Sequence, residues 1–255
     1  MPTPVPVTVF GGPTALIEYV GLRLLTDPTF DDPGDYELGP GLTLTKTAPS
    51  ATSPKALGQV DAVLLSHDQH PDNLDNLGRA YLQDVPVVLT TRSGAERLAS
   101  ELGDKVQGLA PWQTTQLQGG GGGGTVTVTS LPAQHGPEGC EPITGEVVGF
   151  LLQAEGQPTV YVSGDNASVD IARTIAERVG AVDVAVIFAG AARTPFFDGA
   201  LVTVDGALAA EVAQVLGASQ VVGVHTDSWA HFNETRAQLN EAFAAAGRGD
   251  LLQQD

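Results

Sequence analysis

A twofold alternation of short apolar runs with helix-forming segments restricts this chain more than any other feature. VPVTVF (5–10), TALIEYV (14–20) and LRLLTD (22–27) are rich in β-branched residues and are split by Gly-Gly-Pro and Gly21, which predicts a meander. DAVLLS (61–66) and VPVVLT (85–90) read as buried strands. NLDNLGRAYLQ reads as a helix, and so does SGAERLASELG, with Ser93 as its N-cap and Gly103 at its end. The second half repeats this logic. TVTVTSL (125–131), GEVVGFLLQ, PTVYVSGD, VDVAVIFAG and ASQVVGVH are strand-like, while SVDIARTIAERVG, VDGALAAEVAQVLG and NETRAQLNEAFAAAG are helical. So many apolar strands need cover on both faces, and two sheets back to back with helices outside provide it. The expected fold is α+β, a four-layer αββα sandwich, and without a linker-like break residues 1–255 form one domain.

Two stretches interrupt the pattern. DPTFDDPGDYELGPGLTLTKTAPSATSP is full of Pro, Gly, Asp and Thr, and reads as a long loop of functional or disordered character. Six consecutive glycines, Gly119 to Gly124, lack the Gly-Lys-Ser/Thr of a phosphate loop and read as a flexible hairpin connection.

Charge narrows the partners. Twelve Lys and Arg against 30 Asp and Glu give a formal charge of −18. Such a body repels phosphate backbones and anionic headgroups, so neither nucleic acid nor a membrane is expected as a partner. A small-molecule substrate is. The sole cysteine, Cys140, provides neither an intrachain disulfide nor a thiolate cluster. The N-terminus MPTPVPVTVFGGP lacks a basic leader followed by an apolar core, and no run approaches the ~18 apolar residues of a membrane span. A cytoplasmic protein is the expectation; oligomeric state leaves no mark in the sequence.

The chemistry is concentrated where strands stop. In LLSHDQHPDNLDNLG (64–78), two of the five histidines and three aspartates fall within nine residues, His67 to Asp75, directly after an apolar run. His135 follows the strand after the glycine run, Asp165 ends YVSGDN, His225 ends VVGVH, and Asp27 ends LRLLTD. Strand ends along one edge of a sandwich bring together side chains distant in sequence. Imidazole nitrogen and carboxylate oxygen suit zinc, manganese or iron.

Asp27, the cluster His67-Asp-Gln-His70-Pro-Asp72-Asn73, His135, Asp165 and His225 occur in an order that resembles the metallo-β-lactamase superfamily, and within it the ascorbate-phosphate lactonase-like hydrolases. The resemblance runs from LLTDPTF to HTDSWAHF and implies one or two divalent ions at the edge of the αββα sandwich, with zinc expected first and manganese or iron as alternatives. It departs from the usual His-x-His-x-Asp-His signature at two points. Gln69 occupies the second ligand position, with His70 and Asp72 each one place late, and Asn73 stands where the final histidine would be. The resemblance thus implies a first position of His67, His70 and His135 and a second of Asp72 and His225, with Asp165 bridging.

The implied activity is hydrolysis of a small ester, lactone or phosphoester by metal-bound hydroxide, with Asp72 and Asp165 as the catalytic carboxylates. Asp27 would hold a ligand histidine in one tautomer; Asp68 and Asp75 would do the same or cap the next helix, and Asn73 reads as an N-cap. His231 reads as a structural or rim residue, with a ligand or proton-transfer role as the alternative; Trp229 and Phe232 line the pocket or belong to the core, and Arg92 and Arg193 are anion-binding candidates that otherwise face solvent or pair with acid. The competing readings are a metal-binding or scaffold protein of the same fold that lost catalysis when the signature degenerated, and a nuclease, which the charge disfavours.

Overall fold

The computed structural model describes residues 4–39, 41–119, 124–194 and 196–254. The chain enters through β1 (Val7–Gly11), β2 (Thr14–Tyr19) and β3 (Leu22–Thr26), an antiparallel meander that sets Val7 opposite Ile17 and Leu16 opposite Leu25. A hairpin of β4 (Gly34–Gly39) and β5 (Leu42–Lys46) follows, then the short helix α1 (Pro54–Leu57). β6 (Ala62–Leu64), α2 (Asn76–Tyr81), β7 (Val88–Thr90), α3 (Arg92–Leu102) and β8 (Val106–Gly108) complete a first sheet ordered β1-β2-β3-β6-β7-β8, whose last four strands are parallel.

The second half opens with β9 (Thr114–Gln118), β10 (Thr125–Pro132), α4 (Glu141–Thr144), β11 (Val148–Gln153) and β12 (Val160–Val162). α5 (Val169–Val179), β13 (Val184–Phe188), α6 (Gly206–Leu216), β14 (Gln220–Val224) and α7 (Arg236–Ala245) follow. This sheet is ordered β14-β13-β12-β11-β10-β9, with β12, β13 and β14 parallel. β10 is antiparallel to β11, and β11 to β12, so β10 also runs with that parallel set.

Three apolar clusters account for four layers. The central one joins Ile17, Leu24 and Leu64 of the first sheet to Val128, Phe150, Val186 and Val224 of the second. On the outer face of the second sheet, Tyr161, Ala185 and Ile187 pack on Ile175, Ala209, Val212, Leu239 and Phe243 of the helices. On the outer face of the first, Leu25, Val63 and Val88 meet Tyr81, Leu98 and Leu102. This is the αββα sandwich, and it arises because strands apolar on both pleat faces fill two layers at once.

Several local expectations change. The stretch read as a long loop contains the β4–β5 hairpin, pinned by Lys46, whose Nζ lies 2.8 Å from Asp75 Oδ2 with both side chains buried. The N-cap of α3 is Thr91, whose Oγ1 accepts from Gly94 N at 2.9 Å, not Ser93, whose hydroxyl donates instead to Glu146 Oε2. Asn73 is not the N-cap of α2; Asp75 is, accepting from Gly78 N at 2.8 Å. The glycine run does connect two antiparallel strands, β9 and β10, with Gly119 N donating to Gly124 O, while the expected flexibility falls on residues 120–123, outside the described residues. No helix among the described residues is long and apolar enough to cross a membrane.

Candidate metal centre

Strand ends assemble the site. Past Thr26 at the end of β3 stands Asp27; past Leu64 at the end of β6 come Ser66, His67, His70 and Asp72. His135 follows β10, Asp165 follows β12, and His225 follows β14. His67, His70, His135 and Asp165 offer ligand atoms that all lie within 4.8 Å of one another, and so do Asp72, Asp165 and His225. Asp165 belongs to both groups. His67 Nε2 lies 3.0 Å from His70 Nδ1, and His135 Nε2 lies 3.3 Å from that same nitrogen. His135 Nε2 is 3.5 Å from Asp165 Oδ2, and His225 Nε2 is 3.3 Å from Asp72 Oδ2 and 3.6 Å from Asp165 Oδ1. Donors placed tetrahedrally at about 2.0–2.1 Å from a zinc-sized ion stand roughly 3.3–3.4 Å apart, so these separations match the edges of such a shell. The extra residue after His67 is accommodated because His70 turns Nδ1, not Nε2, toward its partners.

The outer partners fix which nitrogens are free. His135 Nδ1 donates to Val202 O at 2.7 Å, leaving Nε2 with its lone pair directed at the cluster. His67 Nδ1 lies 2.9 Å from Ser66 Oγ, whose hydroxyl donates to Asp27 Oδ2 at 2.5 Å. Asp27 Oδ1 accepts from Ser66 N at 2.6 Å, and Asp27 Oδ2 also accepts from Asn73 Nδ2 at 3.0 Å. With that hydroxyl committed to the carboxylate, its lone pair accepts from His67 Nδ1–H and Nε2 is freed. Asp27 therefore acts through Ser66 and not on a ligand histidine directly. Ser66 was absent from the expected site, and its only sequence signal is its place just before His67.

Burial sets the charge states. It pushes His67 well below the usual histidine range, helped by the neighbouring His70 and His135 rings, and lowers His70 to about 4, so both are neutral donors at pH 7. Burial also raises Asp27 to about 7, against the pull of its hydrogen bonds from Asn73 and Ser66. Asp72 behaves oppositely: burial opposes its charge, yet His231 and His225 hold it well below the usual carboxylate range. Burial likewise opposes charge on His225, but Asp165 and Asp72 outweigh it and raise that group.

Two further observations fit a cation. Among the described residues, Asp72 Oδ1, Asp165 Oδ1 and both ring nitrogens of His225 are buried without a hydrogen-bond partner, a costly arrangement unless an ion takes the carboxylate lone pairs and the one imidazole lone pair. Asp27 and His225 also hold positive φ, 27° and 64°, which costs about 1–3 kcal/mol per residue and is concentrated at functional sites. The His225 turn depends on Gly190, where a Cβ would collide with the carbonyl oxygen of His225 and press on Phe232. Gly190→Ala is expected to displace His225 and to destabilise the fold by about 1–3 kcal/mol, read as a lower urea midpoint together with reduced metal content.

The remaining expectations sort themselves by contact. Asp68 pairs with Arg97 at 2.5 Å, away from the histidines, and Asp75 serves Lys46 and α2. Gln69 is exposed, with its amide against Gly145. Cys140 is buried, its Sγ donating to His135 O at 3.1 Å, so it touches the backbone of a cluster residue and offers no donor to either group. Arg92 reaches Gln113 and not the site. Trp229 is buried against Tyr36, and Phe232 packs on the His225 ring at 4.0 Å. The mouth is lined by Leu38, Leu42 and Leu44 of the β4–β5 hairpin, by Ile143, Phe196 and Val202, and by Arg193, whose Nη1 donates to Gly199 O. Leu38, Ile143 and Phe196 stand 40%, 51% and 46% exposed around it, an apolar rim that no local pattern in the sequence marked.

Residues 22–226 match the Beta-lactamase superfamily domain. The chain is 31% identical over 168 residues to the mitochondrial N-acyl-phosphatidylethanolamine-hydrolyzing phospholipase D of Saccharomyces cerevisiae, a match spanning 64% of this chain but only 34% of that protein. It is 28% identical over 187 residues to a metal-dependent hydrolase of Methanosphaerula palustris, covering 71% of this chain and 75% of the relative. Among solved structures, the isothiocyanate hydrolase from Delia radicum gut bacteria superposes with a TM-score of 0.79 at 21% identity, over 96% of this chain and 94% of that one. The metallo hydrolase Igni18 from Ignicoccus hospitalis gives 0.71 at 19% identity, over 98% and 94%. At these identities the two structures share the fold.

Proposed function

Since the chain belongs to the beta-lactamase superfamily, we propose that it is a metal-dependent hydrolase acting on a small ester, lactone or phosphoester, with residues 1–255 as one domain. The observation that carries the reading is the pair of donor groups sharing Asp165, in which Asp72 Oδ1, Asp165 Oδ1 and the His225 ring find no hydrogen-bond partner among the described residues. His67, His70, His135 and Asp165 would hold one divalent ion, and Asp72, Asp165 and His225 a second. Such an ion, when bound, lowers the pKa of water from ~16 towards ~7 and polarises the oxygen of the bond to be cleaved.

The chain's own residues do the rest. Ser66 and Val202 hold His67 and His135 in the tautomers that leave Nε2 free. Asp72, kept ionised by His231 and His225, accepts a hydrogen bond from the attacking water and orients it. Leu38, Leu42, Leu44, Ile143 and Phe196 exclude bulk water from the mouth and accept an apolar substituent, which favours an ester or lactone bearing one over a sugar phosphate. Arg193 is the one guanidinium among the described lining residues and would meet an anionic leaving group. The kinship with the lactonase-like subgroup belongs to this proposal as well.

Two measurements test it. Elemental analysis of untagged protein is expected to find zinc, manganese or iron bound. A panel of p-nitrophenyl esters, lactones and a phosphodiester is expected to reveal turnover that a chelator abolishes and added zinc or manganese restores. Full metal occupancy with no turnover across the panel would instead favour the binding or scaffold reading, which the commitment of Asn73 to Asp27 motivates.

A further inference from the structure

We propose that His231 is a ligand of the second ion, supplying the imidazole that the altered signature lacks at Asn73. The assignment rests on the metal reading above and adds to it a residue outside the signature. Asn73 is buried and its Nδ2 is committed to Asp27 Oδ2 at 3.0 Å, so its amide serves the network behind the ligands. An amide is in any case a weak neutral donor beside an imidazole. The group of Asp72, Asp165 and His225 is thereby left with three donors among the described residues.

His231 approaches that group at Asp72. Its Nε2 lies 3.0 Å from Asp72 Oδ2, the same oxygen that His225 Nε2 approaches at 3.3 Å. Both separations fall near the edge length of a shell around one ion, roughly 3.3 Å. A solvated histidine pairing with a surface carboxylate would leave its partner exposed, yet the Asp72 side chain is only 5% accessible and His231 22%. His231 also lines the mouth beside His70, Asp72, His135 and Asp165.

The backbone is built to bring it there. The chain leaves β14 at His225, turns through Ser228 at a φ of 69°, and returns within six residues. Ala230 N donates to Thr45 O at 2.9 Å, tying the return to β5, and Asn233 N donates to Gly190 O at 2.8 Å, tying it to the His225 turn. Between these anchors the His231 ring lies edge-on to Phe232 at 4.6 Å and to Trp229 at 6.2 Å, while Phe232 packs on His225. Two histidines are thus presented to Asp72 by one strapped turn.

The test is titration of the untagged, metal-stripped full chain with Co2+, read by bound ions per chain, by the visible spectrum and by competition with a chromophoric chelator. Wild type, His231→Ala and His225→Ala are compared. Two ions are expected for wild type. His231→Ala is expected to keep the first with its spectrum unchanged and to lose affinity for the second by more than 100-fold, as His225→Ala does. Losing only an outer partner of a ligand typically costs about 10–100-fold; a fall within that range, or none, would overturn the assignment. So would loss of both ions from His231→Ala, which would make the residue structural. Wild type binding a single ion would overturn the His231 assignment while leaving the first site intact, and wild type binding none would remove the metal reading itself.

Discussion

Replacing His67 and His135 together by alanine is expected to empty the first metal position and to lower kcat/KM on whichever ester the panel identifies by about 1,000-fold or more. These two nitrogens come from strands of different sheets, β6 and β10, and are oriented by separate partners, Ser66 and Val202. No neighbouring donor replaces them: among the described residues, His70 and Asp165 complete the group and are already committed to it. A milder variant calibrates the result. Ser66→Ala leaves both histidines in place but removes the acceptor for His67 Nδ1–H and a donor to Asp27. It is expected to weaken metal binding by about 10–100-fold, with turnover recovering at high metal concentration. Elemental analysis and metal-dependent kinetics on the three proteins decide the matter. A double variant that retained full metal content would show that the cluster is not a metal site.

The largest effect on stability is expected from Lys46→Ala, at about 3–5 kcal/mol. Lys46 and Asp75 are 1% and 0% exposed, and their contact at 2.8 Å is a buried ion pair. Removing the ammonium strands a carboxylate that water cannot reach, a cost larger than the net value of the pair itself. Asp75 would keep its bonds from Gly78 N and Asp31 N, which compensate its charge only in part. For a domain whose total stability is about 5–15 kcal/mol, this is a large fraction, and at about 2–4 °C per kcal/mol the melting midpoint should fall by roughly 10 °C. The consequence reaches function, because Lys46 ends the hairpin whose Leu38, Leu42 and Leu44 form one wall of the mouth. Loss of apolar-ester affinity, seen as a higher KM at temperatures where the variant is folded, should accompany the destabilisation. An unchanged urea midpoint would refute the argument.

The hairpin also illustrates why part of the molecule was illegible. Gly34–Gly39 is exposed or half-exposed throughout and Leu42–Lys46 buries only Lys46, so the short alternations Tyr36-Glu37-Leu38 and Leu42-Thr43-Leu44-Thr45, split by Gly-Pro punctuation, mark no face that packs on a core. Their order comes from a distant partner, Asp75. Likewise β9 is largely exposed along its length and β8 is only three residues long, and each is a strand because a neighbour offers it a ladder.

The sequence by itself determined the layers and the positions of the candidate site residues. Strands apolar on both faces, alternating with amphipathic helices, demand two sheets covered by helices. Polar residues that end such strands must sit at an edge, which put Asp27, His67, His135, Asp165 and His225 there. Only the tertiary structure decided which side chains meet. Donors separated by up to about 160 residues, Asp72 and His225 among them, come within 3.3 Å through strand order and register that no local pattern records. The roles of Ser66, between His67 and Asp27, and of Asn73, turned to that same Asp27, depend on positive φ and ångström-scale placement at the ends of β3 and β6. The approach of His231 to Asp72 depends on a turn strapped to a hairpin from the other half of the chain. Side-chain periodicity is fixed by the local backbone and can be read along the sequence; convergence is fixed by long-range packing and exists only once the sheets have closed on one another.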